Sequence, residues 1–266
     1  MATRIGFVIL TWNSEQTVGS CLESVLALSG VESTAIVSDN GSADGTTEVV
    51  SGFERRFPDR IRLVRNGRNL GTTVPRNRAI SEFLKCGTDF ICVLDSDTVV
   101  NDEAICALSD HLSAHADCGV VGPALVSPDG KTQLSARNFP TLGEKLLKAT
   151  HVKGLERLAE RAETVDGSGL VDYLLSACWM VNPAVFRKAG LLDERIFYAP
   201  EDAEFCLRVW KAGFKVAYVP AVSIIHVWQR IGRRRFLSRH NFEHVRGLFR
   251  MFARHGYLWS RKGLRG

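Results

Sequence analysis

Hydrophobic positions in the first hundred residues form short unbroken runs, separated by stretches with helical spacing. Ile5–Leu10 is continuous and rich in β-branched side chains, as a strand buried on both faces requires. Glu15–Leu28 places Val18, Cys21, Leu22, Val25 and Leu26 at helical intervals, with Gly30 as the stop. The alternation continues with strands over Thr34–Ser38, Ile61–Val64 and Phe90–Leu94, and helices over Thr46–Phe57 and Val74–Leu84. Repeated β-α units predict an α/β fold whose mostly parallel sheet is covered by helices. Ligands of such sheets gather at the carboxyl ends of the strands. Asn13, Asp39, Asn69, Asp95 and Asp97 follow strand ends or lie in the loops there, so they are expected to share one rim.

The second half is less regular. Gly119–Val126 reads as a strand followed by the turn S-P-D-G-K-T-Q, and residues 141–163 as an amphipathic helix. Leu170–Val181 returns to apolar character, Pro183 opens a short helix, and Ala203–Ala212 is helical. Phe214–Val219 and Val222–Val227 read as two strands. Neither an internal repeat nor a low-complexity linker divides the chain. The expected organisation is a body over 1–228 and a helical tail over 229–266. In the tail, Phe242, Val245, Leu248, Phe249 and Phe252 fall on one helical face, with Arg239, Arg246, Arg250 and Arg254 largely elsewhere.

Charge sharpens that division. The 266 residues carry a net charge of +5, but from Val227 onward eleven Lys and Arg face one acid, Glu243. That segment is therefore +10, and residues 1–226, with 23 basic and 28 acidic groups, are −5. A basic amphipathic helix suits an anionic membrane interface, and the alternative is packing on the body or on a second copy in a homodimer. No nucleic-acid recognition motif accompanies the charge, so no nucleic-acid partner is expected. The seven cysteines form no C-x-x-C pair and no metal-type spacing, which favours a reducing, cytoplasmic setting. The N-terminus does not read as a signal peptide, and no run reaches the ~20 apolar residues of a spanning helix. The expected location is the cytoplasm, at most peripheral at the inner face of the plasma membrane.

Two acidic clusters carry candidate chemistry. Asp95 and Asp97 stand directly after a buried strand, where a D-x-D can hold a hard divalent cation and a diphosphate, or can cap the following helix. Glu201, Asp202 and Glu204 lie at a helix start among apolar neighbours, as a general base would, or as charges complementing the helix dipole.

The segments T-W-N (11–13), S-D-N-G-S-A-D-G-T (38–46), N-L-G-T-T-V-P-R-N-R-A-I (69–80), L-D-S-D (94–97) and A-P-E-D-A-E-F-C-L-R (199–208) together resemble the family 2 glycosyltransferases. These are inverting, metal-dependent enzymes of the GT-A fold. The stretch from L-L-D-E-R through A-Y-V-P, and D-G-K-T-Q-L-S-A-R-N-F-P-T (129–141), are similar to the subgroup with bacterial rhamnosyltransferases. The resemblance implies that Thr11, Asn13 and Asp39 line a nucleotide pocket, Asp39 accepting from a pyrimidine ring N–H. It places Asn69, Gly71, Arg76 and Asn77 at the nucleotide end of the donor, with Pro75 where the family pattern has Ala. Asp95 would face the ribose, and Asp95, Asp97 and His226 would hold Mn²⁺ or Mg²⁺. Asp202 would be the base. Glu201, Glu204, Asp172 and Arg137 would meet the acceptor, with Asp129 in a loop nearby.

One carboxylate pair engaged with metal and diphosphate leaves a single free acid for the acceptor, which favours one inverting displacement over a two-carboxylate retaining route. The implied donor is dTDP-rhamnose or a UDP-sugar. The implied acceptor is a glycan or a polyprenyl-diphosphate-linked hydroxyl in bacterial cell-surface polysaccharide assembly. A nucleotidyltransferase would instead show a Gly-rich phosphate loop after the first strand, which T-W-N-S-E-Q is not; a non-catalytic sugar-binding scaffold need not keep both acidic clusters. Trp179, Trp210 and Trp228 either stack on a sugar or, for at least two of them, fill the core.

Overall fold

The computed structural model describes residues 2–149, 169–227 and 239–265. Strands β1 (Arg4–Thr11), β2 (Glu32–Asp39), β3 (Ile61–Arg65) and β4 (Phe90–Asp95) all run parallel. Their spatial order is β3-β2-β1-β4, so the chain reverses its direction of growth at β1. The carboxyl ends of β1, β2 and β4 are Thr11, Asp39 and Asp95, with Thr11 opposite Asp39 and Leu10 opposite Asp95. A crevice opens at such a reversal, and this is where the polar rim of Thr11, Asp39 and Asp95 forms.

Beyond β4 the sheet changes character. After the short β5 (Thr98–Val99) come β6 (Cys118–Val126), β7 (Thr132–Gln133), β8 (Ala136–Arg137), β9 (Gly169–Leu170), β10 (Tyr173–Leu174), β11 (Cys178–Val181) and β12 (Lys215–His226). Strand β11 inserts antiparallel between β4 and β6, and β12 runs parallel to β6. The apolar run 170–181 thus splits into three short strands. Conversely, the two strands expected over 214–227 are one, with a register shift between Val219 and Ser223 that spans Pro220. Proline lacks the N–H a ladder needs, so the strand slips there and continues. Its last residues matter most: His226 pairs with Thr98 and Ile225 with Val99, which seats a distant histidine beside the turn after β4.

The helices α1 (Glu15–Leu26), α2 (Thr46–Arg56), α3 (Thr73–Cys86) and α4 (Asp102–Ala114) connect the strands of the first half. Alternate residues of β1 enter opposite cores, Ile5, Phe7 and Ile9 on one face of the sheet and Val8 on the other. Trp179 and Trp210 are buried core residues, and Trp179 stacks at 5.7 Å on Phe205; Trp228 lies outside the described residues. Of the expected helix over 141–163, Leu142–Ala149 is helical and 150–168 lie outside the described residues. The seven cysteines are unbonded.

The C-terminal helix Arg239–His255 departs from the expected single apolar face. Leu248, Met251 and Phe252, with Tyr257 and Leu264, join the buried cluster that also holds Phe205, Leu207 and Trp210. Phe242, Val245 and Phe249 stay 67, 48 and 58% exposed. The arginines are not simply solvated either. Arg254 pairs with Asp193 and Glu204, Arg250 approaches Asp193, Arg261 pairs with Glu144 and Arg265 with Asp172. The acidic body and basic tail complement each other by contact. No helix among the described residues is long and apolar enough to cross a membrane.

Candidate active site

The rim is built by β-strand ends whose polar residues first hold one another. Thr11 is buried and its hydroxyl donates to Asp39 at 3.1 Å. Asp39 is only 2% exposed and also accepts from the backbone N–H of Gly41 and Ser42 and from the Ser42 hydroxyl. Four donors fill the lone pairs of a carboxylate. A ring N–H can therefore reach Asp39 only by replacing one of them. Asn13 adopts φ +53°, a left-handed conformation that Asn tolerates. Its side-chain Oδ1 accepts from Ala43 N–H at 2.8 Å and its backbone N–H donates to Ser42 Oγ, so it ties the β1 and β2 loops together.

A second loop lies alongside. Asn69 Oδ1 accepts from Gly71 N–H at 2.9 Å and from Asn40 Nδ2 at 3.0 Å, while Asn40 also binds the Gly71 carbonyl and Leu70 N–H. Gly71 has φ +83°, and a Cβ there would lie 2.2 Å from the Phe197 carbonyl oxygen. Only glycine lets this loop close onto the 193–200 segment. Asn77 does not reach the donor side. It is buried, its carboxamide bonded to both backbone groups of Leu192 and to Glu194. Its position in the sequence motif is explained by that tether.

Asp95, Asp97 and His226 converge, each offering a ligand atom within 4.8 Å of the others. The turn carrying the two aspartates is pinned by Asp95 N–H to Ala177 O, Thr98 Oγ1 to Asp95 O and Ser96 Oγ to Ser14 Oγ. His226 Nε2 is 3.5 Å from Asp97, and its Nδ1 lies 2.7 Å from Gln133 Oε1. The Gln133 amide in turn donates to the His226 carbonyl at 2.8 Å. With Nδ1–H donated to Gln133, the lone pair of Nε2 faces the two carboxylates, the tautomer a metal ligand needs. Burial works against protonation of His226, but Asp97 and Asp95 outweigh it and hold its pKa above the ordinary value. Two carboxylates and an imidazole fit Mn²⁺ or Mg²⁺ completed by substrate oxygens and water.

Arg76 links this point to the second acidic cluster. Its guanidinium, 3% exposed, donates to Asp95 at 2.6 Å, to Glu201 at 3.0 Å and to Ser176 at 3.2 Å. It is the counter-ion of the buried Glu201 and the partly exposed Asp95, its two terminal nitrogens turned towards them. Burial, and then the Asp202 charge, push the Glu201 carboxyl up, against Arg76. Asp202 stands next on the Glu201–Lys211 helix and accepts from Ala203 N–H at 2.7 Å. Burial raises its pKa, opposed by that N–H and by the Arg137 and Arg76 charges.

Two of the expected acceptor residues lie elsewhere. Glu204 is fully buried and held by Arg208, Arg254 and His255, leaving no oxygen for an acceptor. Asp172 accepts from Phe139 N–H and from Arg265, so it is engaged in anchoring the chain end. Asp129 is an exposed turn residue paired with Lys131. Arg137, on β8, keeps its place near Asp202. Sequence reasoning missed Gln133, whose partner His226 lies 93 positions away, and it passed over Asn40 and Ser42, although both stand in the S-D-N-G-S-A-D-G-T run.

A family model described as "Glycosyltransferase like family 2" matches residues 3–248. The N-acetylglucosaminyl-diphospho-decaprenol L-rhamnosyltransferase of Mycobacterium tuberculosis is 31% identical over 204 residues, 72% of this chain and 65% of that protein. The chain thus spans just under two thirds of that relative's length. The dTDP-rhamnosyl transferase RfbF of Shigella flexneri is 25% identical over 226 residues, 85% of this chain and 70% of RfbF. Among solved structures, the mannosyltransferase PcManGT from Pyrobaculum calidifontis, in complex with GDP-Man and Mn²⁺, has a TM-score of 0.62 at 15% identity. That match covers 96% of this chain and 64% of PcManGT, and is a likeness of fold, the GT-A arrangement.

Proposed function

Because the chain belongs to glycosyltransferase-like family 2, we propose that it transfers a sugar from a nucleoside-diphosphate donor to an acceptor hydroxyl in one inverting displacement. The observation that carries this reading is the convergence of Asp95, Asp97 and His226 on one point, joined through Arg76 and Glu201 to the helix start that bears Asp202. Asp95, Asp97 and His226 would hold Mn²⁺ or Mg²⁺, which when bound neutralises charge on the departing nucleoside diphosphate. Thr11, Asp39 and Ser42 take the base, with Asp39 exchanging one of its donors for a ring N–H. The Asn69–Gly71 loop keeps the backbone close around the donor. Asp202 removes the acceptor proton: burial raises its basicity while Arg137 favours its ionised form.

The two rhamnosyltransferase relatives support dTDP-rhamnose as donor, with a UDP-sugar next, and a polyprenyl-diphosphate-linked or glycan acceptor in cell-surface polysaccharide assembly. The test is a donor panel with Mn²⁺ or Mg²⁺, reading nucleoside diphosphate release with and without polyprenyl-diphosphate-linked acceptor. Turnover of dTDP-rhamnose in the presence of acceptor is expected. Failure of every donor on a folded sample would overturn the reading.

An acceptor of that kind sits at a bilayer, and the exposed Phe242–Val245–Phe249 stripe, flanked by Arg246, supports peripheral contact with an anionic cytoplasmic surface. Phe242→Asp with Phe249→Asp should abolish sedimentation with phosphatidylglycerol vesicles. Wild-type protein that ignores such vesicles, but self-associates through the same stripe, would assign the stripe to a second copy.

A further inference from the structure

The segment Asp193–Glu204 carries Glu201 and Asp202, and it is held from two sides. On the donor side, Thr72 N–H donates to the Phe197 carbonyl at 2.7 Å, Thr72 Oγ1 to Tyr198 O at 3.0 Å and Thr73 Oγ1 to Ile196 O at 2.9 Å. On the other side stands the Arg239–His255 helix, whose sequence suited either a membrane surface or packing on the body. Its Gly247 lies against the Ala199 carbonyl: a Cβ there would come within 2.2 Å of that oxygen and 2.9 Å of Pro200 Cδ. Two turns later, Arg254 Nη1 sits 2.8 Å from Asp193 Oδ2 and 3.1 Å from Glu204 Oε1. A single nitrogen thus joins the two ends of the segment. His255 adds a contact of 3.1 Å to the same Glu204 oxygen.

We infer that the C-terminal helix is a positioning element for the transfer step, with Arg254 and Gly247 setting where the Glu201–Asp202 pair stands relative to the metal-binding carboxylates. The inference rests on the reading of Asp202 as the base. The physical argument is one of constraint. Asp202 stands two residues before Glu204 and three after Ala199, so the anchors on either side of it leave little freedom to the first turn of its helix. Both anchors come from a helix more than thirty residues further along the chain. Arg254 meets Asp193 and Glu204 and Gly247 meets Ala199 and Pro200, so their loss should alter the placement of the base and spare the donor pocket. A misplacement of roughly 1 Å at a reacting group can cost about 100-fold in rate. Relieving the Gly247→Ala contact requires a shift of about that size.

The experiment compares wild type, Gly247→Ala, Arg254→Gln and Arg254→Lys in the full chain. It reads kcat, donor KM, calorimetric binding of dTDP with Mn²⁺, and the thermal midpoint. Gly247→Ala is expected to lower kcat about 100-fold, with donor KM and dTDP binding within about twofold. Arg254→Gln should lower kcat at least about tenfold by the same route. Arg254→Lys should restore most of that loss, since one ammonium can replace the single bridging nitrogen. Unchanged kcat in Gly247→Ala, or a Lys variant no better than Gln, would overturn the inference. So would a parallel loss of donor binding. If Arg254→Gln unfolds at the assay temperature, Gly247→Ala decides, because it leaves both ion pairs intact. Inactivity of the wild type towards every donor is a separate outcome and strikes the proposed function itself.

Discussion

Gln133→Ala removes a side chain that touches neither substrate nor, on the reading above, the metal, yet it should weaken metal binding markedly. Gln133 Oε1 lies 2.7 Å from His226 Nδ1, and its amide donates to the His226 carbonyl at 2.8 Å. These two hydrogen bonds to one residue fix both the ring orientation and the tautomer that leaves Nε2 towards Asp95 and Asp97. Without it, the imidazole can rotate or place its proton on Nε2, facing the carboxylates. Loss of such a supporting partner typically costs about 10–100-fold in metal affinity, or roughly 1.4–2.7 kcal/mol. The direct stability cost is two hydrogen bonds at a partly open site, about 1–2 kcal/mol together. The assay is a Mn²⁺ titration followed by the electron paramagnetic resonance of the free ion, on wild type, Gln133→Ala and Gln133→Glu. The Glu variant retains an acceptor for Nδ1–H, now charged, and should bind Mn²⁺ more tightly than the Ala variant. Equal Mn²⁺ affinity in wild type and Gln133→Ala would refute the argument that His226 is a ligand oriented from behind.

Arg76→Met should destabilise the fold by about 3–5 kcal/mol, because Asp95 and Glu201 lose their buried counter-ion; a thermal midpoint lowered by roughly ten degrees, recovered in part by adding Glu201→Gln, is the expected result. The acid limb of kcat should have its midpoint above the ordinary aspartate value of about 3.9, since burial raises the Asp202 pKa and the base must be ionised to act. Activity then rises with pH through that midpoint, and a limb at or below the ordinary value would contradict the burial argument. Asp193 and Glu204 behave in the opposite sense. Burial works against their charge, but hydrogen bonds from Arg195 to Asp193, and from His255 and Arg208 to Glu204, hold both carboxyls below their usual range. Their contribution to stability is therefore complete above about pH 4–4.5 and is lost as pH falls through the depressed native values. The urea midpoint should drop between pH 5 and pH 2.5, and less steeply in Arg254→Gln.

The parts of this account legible in the sequence were those set by local pattern. A buried apolar run ending in Asp95-Ser96-Asp97 announces both the strand and what stands at its mouth, and the β-α rhythm places that mouth beside Thr11 and Asp39. What local pattern does not reveal is which way a polar side chain is engaged. Asn77 and Asp39 sit in equally suggestive motifs, yet one ties a helix to the Leu192 backbone and the other closes its own loop. Gln133 acquires its role only because β7 folds back on β6 while β12 runs along the other edge of β6, a three-strand coincidence with no sequence signal. The tail shows the same boundary. Its helical amphipathicity and positive charge were readable, but the apolar arc is broader than one contact needs. Leu248 and Phe252 go inward while Phe242 and Phe249 stay out, and the arginines find Asp193, Glu204, Glu144 and Asp172, partners as many as 117 positions away.

The central claim is that Asp202 is the base of a sugar transfer whose donor is held elsewhere. The measurement that tests it most directly is the single-turnover transfer rate of Asp202→Asn alongside calorimetric binding of the nucleoside diphosphate with Mn²⁺. Binding within about twofold of wild type together with a transfer rate reduced at least about 100-fold is the expected result. Transfer by the Asn variant at the wild-type rate would contradict it.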